Sequence, residues 1–242
     1  MAVENVRIVL CNPSHPGNIG AVARAMKTMR LEKLYLVEPK VFPHADATAR
    51  AAGADDILAT AQICRTLDEA IGDCHLVMGA SARIRSLSCP VVSPDVCAGL
   101  VERENKTQQI ALLFGREHSG LTNNEIDRCH HLIHIPSNEA FSSLNLASAV
   151  QIVAYELMKS RQGTDSDNIP ADLLECASSE DVERFYEHLE QTLIKVQFLD
   201  PAAPRHVMRR LRRLFNRARP DIIELNVLRG MLTAMQNKSN EQ

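Results

Sequence analysis

The sequence predicts an α/β domain on a mainly parallel sheet with helices on both faces, followed by a small all-helical appendage. Three observations predict it. Five short apolar runs, rich in β-branched residues, are spread between Val6 and Ile135; helical apolar stripes lie among them; and after Arg161 only the helical pattern continues. Strand alternating with helix implies parallel strands, because each crossover helix must pack back onto a sheet face.

Taken in order, the expected strands are Val6–Leu10, Leu34–Val37, Leu76–Gly79, Ile110–Phe114 and Leu132–Ile135. Each is a short, mainly apolar run, interrupted only by Arg7 in the first and His134 in the last, the pattern of a strand buried on both faces. After the first, Ile19, Val22, Ala23, Met26 and Met29 share one helical face; after the last, Leu146, Val150, Val153 and Leu157 do the same. Ligands of such sheets bind beyond the carboxyl ends of the strands, so chemistry is expected in the loops that leave them. Residues 162–170 are polar, carry Gly and Pro, and have no period, which reads as a linker. Three more helical stripes follow. They are Val182, Phe185, Tyr186, Leu189, Leu193 and Val196; then Val207, Leu211, Leu214, Phe215 and Ala218; then Leu225, Leu228, Leu232 and Met235, opened by Pro220-Asp221. The expected organisation is a main domain over 1–161, a linker over 162–179 and a helical appendage over 180–242.

Composition narrows the class. The 242 residues are 45% hydrophobic, enough for a sizeable core. No window approaches the roughly 18 consecutive apolar residues of a membrane span. The segment from Met1 to Asn5 lacks the basic patch and apolar run of a secretory signal, so a cytoplasmic home is expected. The seven cysteines form no C-x-x-C pair and read as small buried hydrophobes in a reducing compartment. His130, His131 and His134 lack a metal-binding helical spacing, and no metal is expected. The net charge of −3 conceals an asymmetry: from Arg205 to Arg219 there are seven arginines and no acid.

Three loops carry the candidate chemistry. The first, Asn12-Pro13-Ser14-His15-Pro16-Gly17-Asn18-Ile19-Gly20, leaves the first strand and enters a helix bearing Arg24. A dinucleotide site needs G-x-G-x-x-G, and only Gly17-x-x-Gly20 is present; a P-loop fails for want of Gly-Lys-Ser/Thr. The structural reading is that Asn18 caps the helix while the glycines serve the turn. Against it stands Arg24, a charge set within the run Ala21-Val22-Ala23 and Ala25-Met26. The second loop, Gly115-Arg116-Glu117-His118-Ser119-Gly120-Leu121, places glycines around a charged pair, either an ordinary connection or a close backbone approach to a ligand. In the third, Ile135-Pro136 is followed by Phe141-Ser142-Ser143-Leu144-Asn145-Leu146-Ala147, where Ser142, Ser143 or Asn145 could simply cap the next helix.

The ordered set N-x-G-x-x-x-R, F-G-x-E-x-x-G-L and I-P…S-S-L-N-L-A resembles the three motifs of the SPOUT methyltransferases, specifically the SpoU/TrmH branch. The match covers roughly residues 5–160. Ser14-His15-Pro16-Gly17-Asn18, Arg24-Ala25-Met26-Lys27 and the run from Leu211 to Arg219 are similar to the TrmJ group within it. The resemblance implies a SPOUT fold with a C-terminal trefoil knot, an exception among topologies. It implies S-adenosylmethionine as cofactor, a homodimer with each active site built by two subunits, and transfer of methyl to the ribose 2′-hydroxyl of cytidine or uridine at position 32 of tRNA. Carried onto this chain, the cofactor pocket is Ala80, Ser81, Ala82, Gly115, Glu117, Gly120, Ile135, Ser142, Ser143, Leu144 and Asn145. The resemblance puts Arg24 at the hydroxyl, with Asn18 and Asn145 orienting the site. A guanidinium does not normally deprotonate, which favours a phosphate and alkoxide clamp over a general base. Phe141 stands where some relatives carry Tyr, so any hydroxyl contact there is lost.

On a helical wheel, Arg209, Arg210, Arg212, Arg213 and Arg217 oppose Val207, Leu211, Leu214, Phe215 and Ala218. With no acid interspersed, an RNA backbone explains this face better than solubility alone or a membrane surface. Aromatics make up 4% of the chain and Trp is absent, so recognition through shape and phosphates is expected over base stacking. Two other readings stay open: the same chemistry on ribosomal RNA, and a non-catalytic RNA-binding module with this fold. The second is opposed by the intact set Asn18, Arg24, Glu117 and Asn145. A dinucleotide-dependent oxidoreductase ranks last, for want of the glycine fingerprint.

Overall fold

The computed structural model describes residues 5–82, 89–104, 108–138, 140–161, 176–202 and 206–238. Strand β1 (Val6–Cys11) runs into helix α1 (Pro16–Thr28) and then β2 (Lys33–Val37). Two short helices, α2 (Ala45–Ala51) and α3 (Asp55–Thr60), lead to β3 (Gln62–Cys64), and α4 (Leu67–Ile71) leads to β4 (Cys74–Ala80). The chain continues through β5 (Val91–Val92), α5 (Pro94–Arg103), β6 (Gln109–Phe114), α6 (Asn123–Ile126) and β7 (His131–Ile133) into α7 (Leu146–Ser160). Last come α8 (Ser179–Lys195), α9 (Val207–Ala218) and α10 (Ile222–Lys238).

All five expected strands form, and every ladder among the described residues is parallel, in the order β3-β2-β1-β6-β4-β7-β5. The strand expected to reach Ile135 ends at Ile133, although the His134 N–H still donates to the Val92 carbonyl at 2.9 Å. Two strands were not expected. β3 has three residues with Ile63 57% exposed, and β5 has two with Val91 40% exposed. A lateral strand so short has no apolar run to signal it.

Alternation along the strands feeds two cores. Ile8, Leu10, Leu36, Met78, Leu112 and Phe114 pack with α1, α5 and α7 on one face; Val9, Cys11, Val37, Val77 and Leu113 pack on the other with Ile71 of α4 and Ile126 of α6. Helices on both faces are therefore present as expected. The tightest helix pair is α1 on α2, where a Cβ on Gly20 would sit 1.9 Å from the Ala47 carbonyl oxygen, so only glycine permits this approach. Cys11, Cys64, Cys74, Cys89, Cys97 and Cys129 are buried and unpaired and Cys176 is half-buried, in keeping with the hydrophobe reading. Burial pushes the Cys74 and Cys97 thiols up to about 12, which makes them poor nucleophiles.

The last three helices share a third core of Val182, Phe185, Tyr186, Leu189, Leu225 and Leu232. Phe185 and Phe215 meet edge to face at 4.8 Å, worth about 0.5–1.5 kcal/mol beyond burial. Asp221 caps α10 reciprocally with Glu224, as Pro220-Asp221 foretold. Most of the expected linker, residues 162–175, lies outside the described residues; Cys176 bridges Asp221, and the Ala177 N–H donates to the Pro220 carbonyl at 3.0 Å.

These helices dock on the sheet domain through polar contacts. Asn216, buried, donates to the Asp127 carbonyl at 3.1 Å and the Cys129 carbonyl at 3.4 Å, and accepts from the Tyr186 hydroxyl at 2.7 Å. Arg209 pairs with Asp127 at 2.9 Å and Arg219 with Glu104 at 2.6 Å. Arg128 reaches Glu183 of α8 at 3.4 Å. Because Asp127 and Cys129 immediately precede β7, the appendage grips the segment that leads into the third motif.

His130 lies at the same seam, buried, its Nδ1 accepting from the Val77 N–H at 3.0 Å. Burial, then the Arg219 and His131 charges, push its imidazole down to about 3. An imidazole depressed in the fold takes up a proton only on unfolding. Its contribution to stability is complete above the ordinary value near 6.5 and is lost as pH falls toward 3. Urea midpoints should therefore drop between pH 7 and pH 4, with a smaller drop in His130→Gln; equal pH dependence in both proteins contradicts this assignment.

Candidate active site

Because every ladder is parallel, the carboxyl ends of β1, β4, β6 and β7 open on one edge of the sheet, and the expected motif loops meet there. The first loop is not capped as expected. His15 is the N-cap of α1, its Nδ1 accepting from the Gly17 N–H at 3.0 Å, with Pro16 in the first turn. His15 takes the role because its backbone is extended and its ring folds back over the turn. Asn18 is thereby released for other contacts. Its Nδ2 donates to Glu117 Oε1 at 3.0 Å, and its Oδ1 accepts from Asn145 Nδ2 at 3.2 Å. Asn145 does cap α7, its Oδ1 accepting from the Ala147 N–H at 2.9 Å while its Nδ2 reaches Asn18.

Glu117 is the anchor of this cluster. Its carboxylate accepts from the Ser14 hydroxyl at 2.7 Å, from the Ser14 and His15 N–H groups at 3.2 Å or slightly longer, and from Asn18. Burial opposes the charge, but the hydrogen bonds from Asn18 and Ser14 outweigh it and hold the carboxyl at about 2. At neutral pH Glu117 is ionised and acts as a fixed acceptor, with no proton to give. The directed string Asn145 to Asn18 to Glu117 joins all three motif loops.

The second loop is a tight reversal. The Arg116 N–H donates to the Gly120 carbonyl at 3.2 Å, and the Gly120 N–H donates back to the Arg116 carbonyl at 2.9 Å. Gly120 has φ +68, in the left-handed region. A Cβ on Gly115 would lie 2.1 Å from the carbonyl carbon of Gly120 and 2.2 Å from the Leu121 nitrogen, so a side chain there would pry the loop open. Arg116 clamps the outer side by binding both Glu125 carboxylate oxygens at 3.0 Å, while Glu125 completes a capping box with Thr122.

Between the loops lies a cavity of about 190 Å³. Ala80, Ser81, Ala82, Gly115, Glu117, Gly120, Ile135, Ser142, Ser143 and Leu144, the residues the resemblance assigns to a cofactor pocket, all line it. Asn145 stands outside the wall, turned toward Asn18. Sequence reading missed Phe114, Arg116, His118, Ser119, Leu121, Ile133, Leu146 and Ala149. Most flank motif positions at strand or helix ends, so adjacency was the available signal. Arg24 projects from the exposed face of α1, and no described residue pairs with its guanidinium.

The arginine helix differs from its wheel. Arg209 is spent on Asp127, and Arg212 forms a two-pronged pair with Glu183 while lying 4.4 Å over the Tyr186 ring. Arg210, Arg213 and Arg217 are exposed. The packed side is Met208, Leu211, Phe215 and Asn216, whereas Leu214 is 47% exposed and Ala218 is open. The neutralising acids, Asp127 just after α6 and Glu183 in α8, are far away in sequence, so the helix's own composition could not reveal them.

The model of the SpoU rRNA Methylase family matches residues 5–155, and the model of the TrmJ tRNA methyltransferase C-terminal domain matches residues 180–242. A tRNA (cytidine/uridine-2′-O-)-methyltransferase TrmJ of Pectobacterium atrosepticum is 48% identical over 99% of this chain and 100% of its own length. The chain belongs to the TrmJ group of the SpoU methylase family. A Pseudomonas aeruginosa TrmJ whose name adds adenosine to its targets is 46% identical over 97% of this chain and 95% of its own. The crystal structure of Zymomonas mobilis TrmJ superposes with a TM-score of 0.83 at 34% identity, covering 95% of this chain and 98% of that one. Both parts of the fold, sheet domain and C-terminal helices, thus have counterparts in TrmJ proteins.

Proposed function

We propose that this chain transfers methyl from S-adenosylmethionine to the ribose 2′-hydroxyl of cytidine or uridine at position 32 of tRNA. The observation that carries this reading is the convergence of the three family motifs on one cavity, joined by the Asn145–Asn18–Glu117 string, in a chain matched over nearly its whole length by TrmJ relatives. When bound, the cofactor supplies an electrophilic methyl on a leaving thioether. The residues present fit it: the Gly115–Gly120 reversal leaves room for close backbone approach, and Ile133, Ile135, Leu144 and Leu146 form an apolar wall. The protein's main lever is positioning, because the transfer needs nucleophile, methyl and leaving group in line. Asn18 and Asn145 orient the hydroxyl, whose proton passes to bulk water, and Arg24 holds the neighbouring phosphate and stabilises the developing alkoxide. Glu117, fixed as an anion at about 2, is no general base; it holds the loop carrying Asn18.

The unpaired exposure of Arg24 fits a homodimer in which it completes a site shared by two subunits. The exposed Phe141 and Tyr155, 79% and 47% open, fit such a contact. The family's trefoil knot and a cytoplasmic workplace belong to the same reading; no described helix is long and apolar enough to cross a membrane. The appendage holds tRNA through Arg210, Arg213 and Arg217, while Arg209 and Arg212 lock α9 in place. Glutamine at the first three together should weaken tRNA binding and lower the log–log salt slope by about two to three. Arg212→Gln should instead cost about 1.5–3 kcal/mol of folding stability by leaving Glu183 short of its partner. A salt slope unmoved by the triple change removes these arginines from the interface.

Ribosomal RNA is the second reading, favoured by the description of the family that residues 5–155 match. The match at 180–242 to a tRNA methyltransferase C-terminal domain weighs against it. To test the position, a tRNA transcript methylated by the purified protein is cut to oligonucleotides and mapped by mass. Methyl on the ribose of nucleotide 32 is expected; methyl on another ribose overturns the position and keeps the chemistry.

A further inference from the structure

Beside the first motif loop, the surface shared by α1 and α2 carries cations that the string of Glu117, Asn18 and Asn145 does not use. Arg50 lies across Gly17: its Cδ is 3.2 Å from where a Gly17 Cβ would be, so the arginine stem occupies the space that glycine leaves over the first turn of α1. Lys40 is tied to the same loop, its backbone N–H donating to the Pro13 carbonyl at 3.1 Å. Positions 17 and 24 are seven residues apart on α1, two helical turns, and therefore share one face. Arg50 thus leans onto the face from which Arg24 projects. All three are exposed, and no described residue forms an ion pair with any of them. Lys27, further along α1, is matched by Asp56 at 2.8 Å and by the Gly53 carbonyl at 2.8 Å. Glu38, two residues before Lys40, is exposed and competes with the patch.

We propose that Lys40 and Arg50 form a second RNA-contact patch that binds backbone phosphates flanking the target nucleotide, separate from the arginine helix of the appendage. The proposal rests on the reading of this site as an RNA methyltransferase and names two residues which that reading leaves out. Their place on the loop side of Arg24 suits them to hold the strand on either side of the reacting ribose. As phosphate contacts they set position and affinity, not base choice.

The test is equilibrium binding of unmodified tRNA at several salt concentrations, beside steady-state methylation, for the wild type and Lys40→Ala/Arg50→Ala. The expected result is a log–log salt slope smaller by about 1.5–2, KM for tRNA raised about tenfold, kcat within twofold and cofactor affinity unchanged. Lys40→Arg/Arg50→Lys should restore the slope, since charge alone is required. Two results would overturn the proposal: an unchanged slope, whether or not sedimentation shows a weakened dimer, or a loss the charge-conserving variant fails to restore. Binding is read independently of turnover. A wild type that binds tRNA without methylating it defeats the enzymatic reading and leaves the patch standing if the slope still falls.

Discussion

Arg24→Lys is expected to lower kcat about a hundredfold while the thermal midpoint stays within about 1 °C. The side chain is exposed and no described residue pairs with it, so the fold does not depend on it. A lysine keeps the charge and loses the planar fork that grips a phosphate with two parallel hydrogen bonds. Removing one preorganised donor to a developing oxyanion costs about 10²–10³ in rate, which sets the scale, and Arg24→Ala should lie at the upper end. Single-turnover methylation of tRNA reads the effect apart from product release. Near-full turnover in Arg24→Lys would remove both the clamp and any guanidinium-specific base.

Gly115→Ala is expected to weaken cofactor binding at least a hundredfold. Its Cβ would fall 2.1 Å from the Gly120 carbonyl carbon, a backbone atom that no rotamer change can move. The 115–121 reversal must open, which displaces Gly120 and Glu117 from the cavity wall and slackens the hold on the Ser14–Asn18 loop. Equilibrium dialysis with labelled S-adenosylmethionine measures the first effect, and a thermal melt separates it from global unfolding. Gly20→Ala is the informative contrast. Its clash is with Ala47 across the α1–α2 contact, so it should lower the melting temperature without a selective loss of cofactor. If Gly115→Ala binds cofactor like the wild type, the cavity described here is not the cofactor site.

These effects trace back to how much of the molecule the sequence discloses. The buried strands are legible because a strand covered on both faces is mainly apolar: β1 is broken only by Arg7, which is buried and paired with Asp73 at 2.7 Å, and β6 only by its first residue, Gln109. The lateral strands β3 and β5 are not, since exposure and lengths of three and two residues erase the pattern. The cavity was legible through motifs whose glycines and polar residues keep a fixed order. The role of Asn18 was not, because capping and bridging use the same amide, and only the fold shows that His15 has taken the cap. The arginine helix was half legible. Its charge is plain in the chain, but Asp127 and Glu183, which claim Arg209 and Arg212, are 82 and 29 residues away.

The measurement that reaches the central claim most directly is transfer of labelled methyl from S-adenosylmethionine to unmodified total tRNA and, separately, to ribosomal RNA, with products digested and resolved as nucleosides. Label in 2′-O-methylcytidine and 2′-O-methyluridine from tRNA alone is the predicted result. Label confined to ribosomal RNA would contradict the substrate, and no label in either RNA with cofactor still bound would contradict the enzyme.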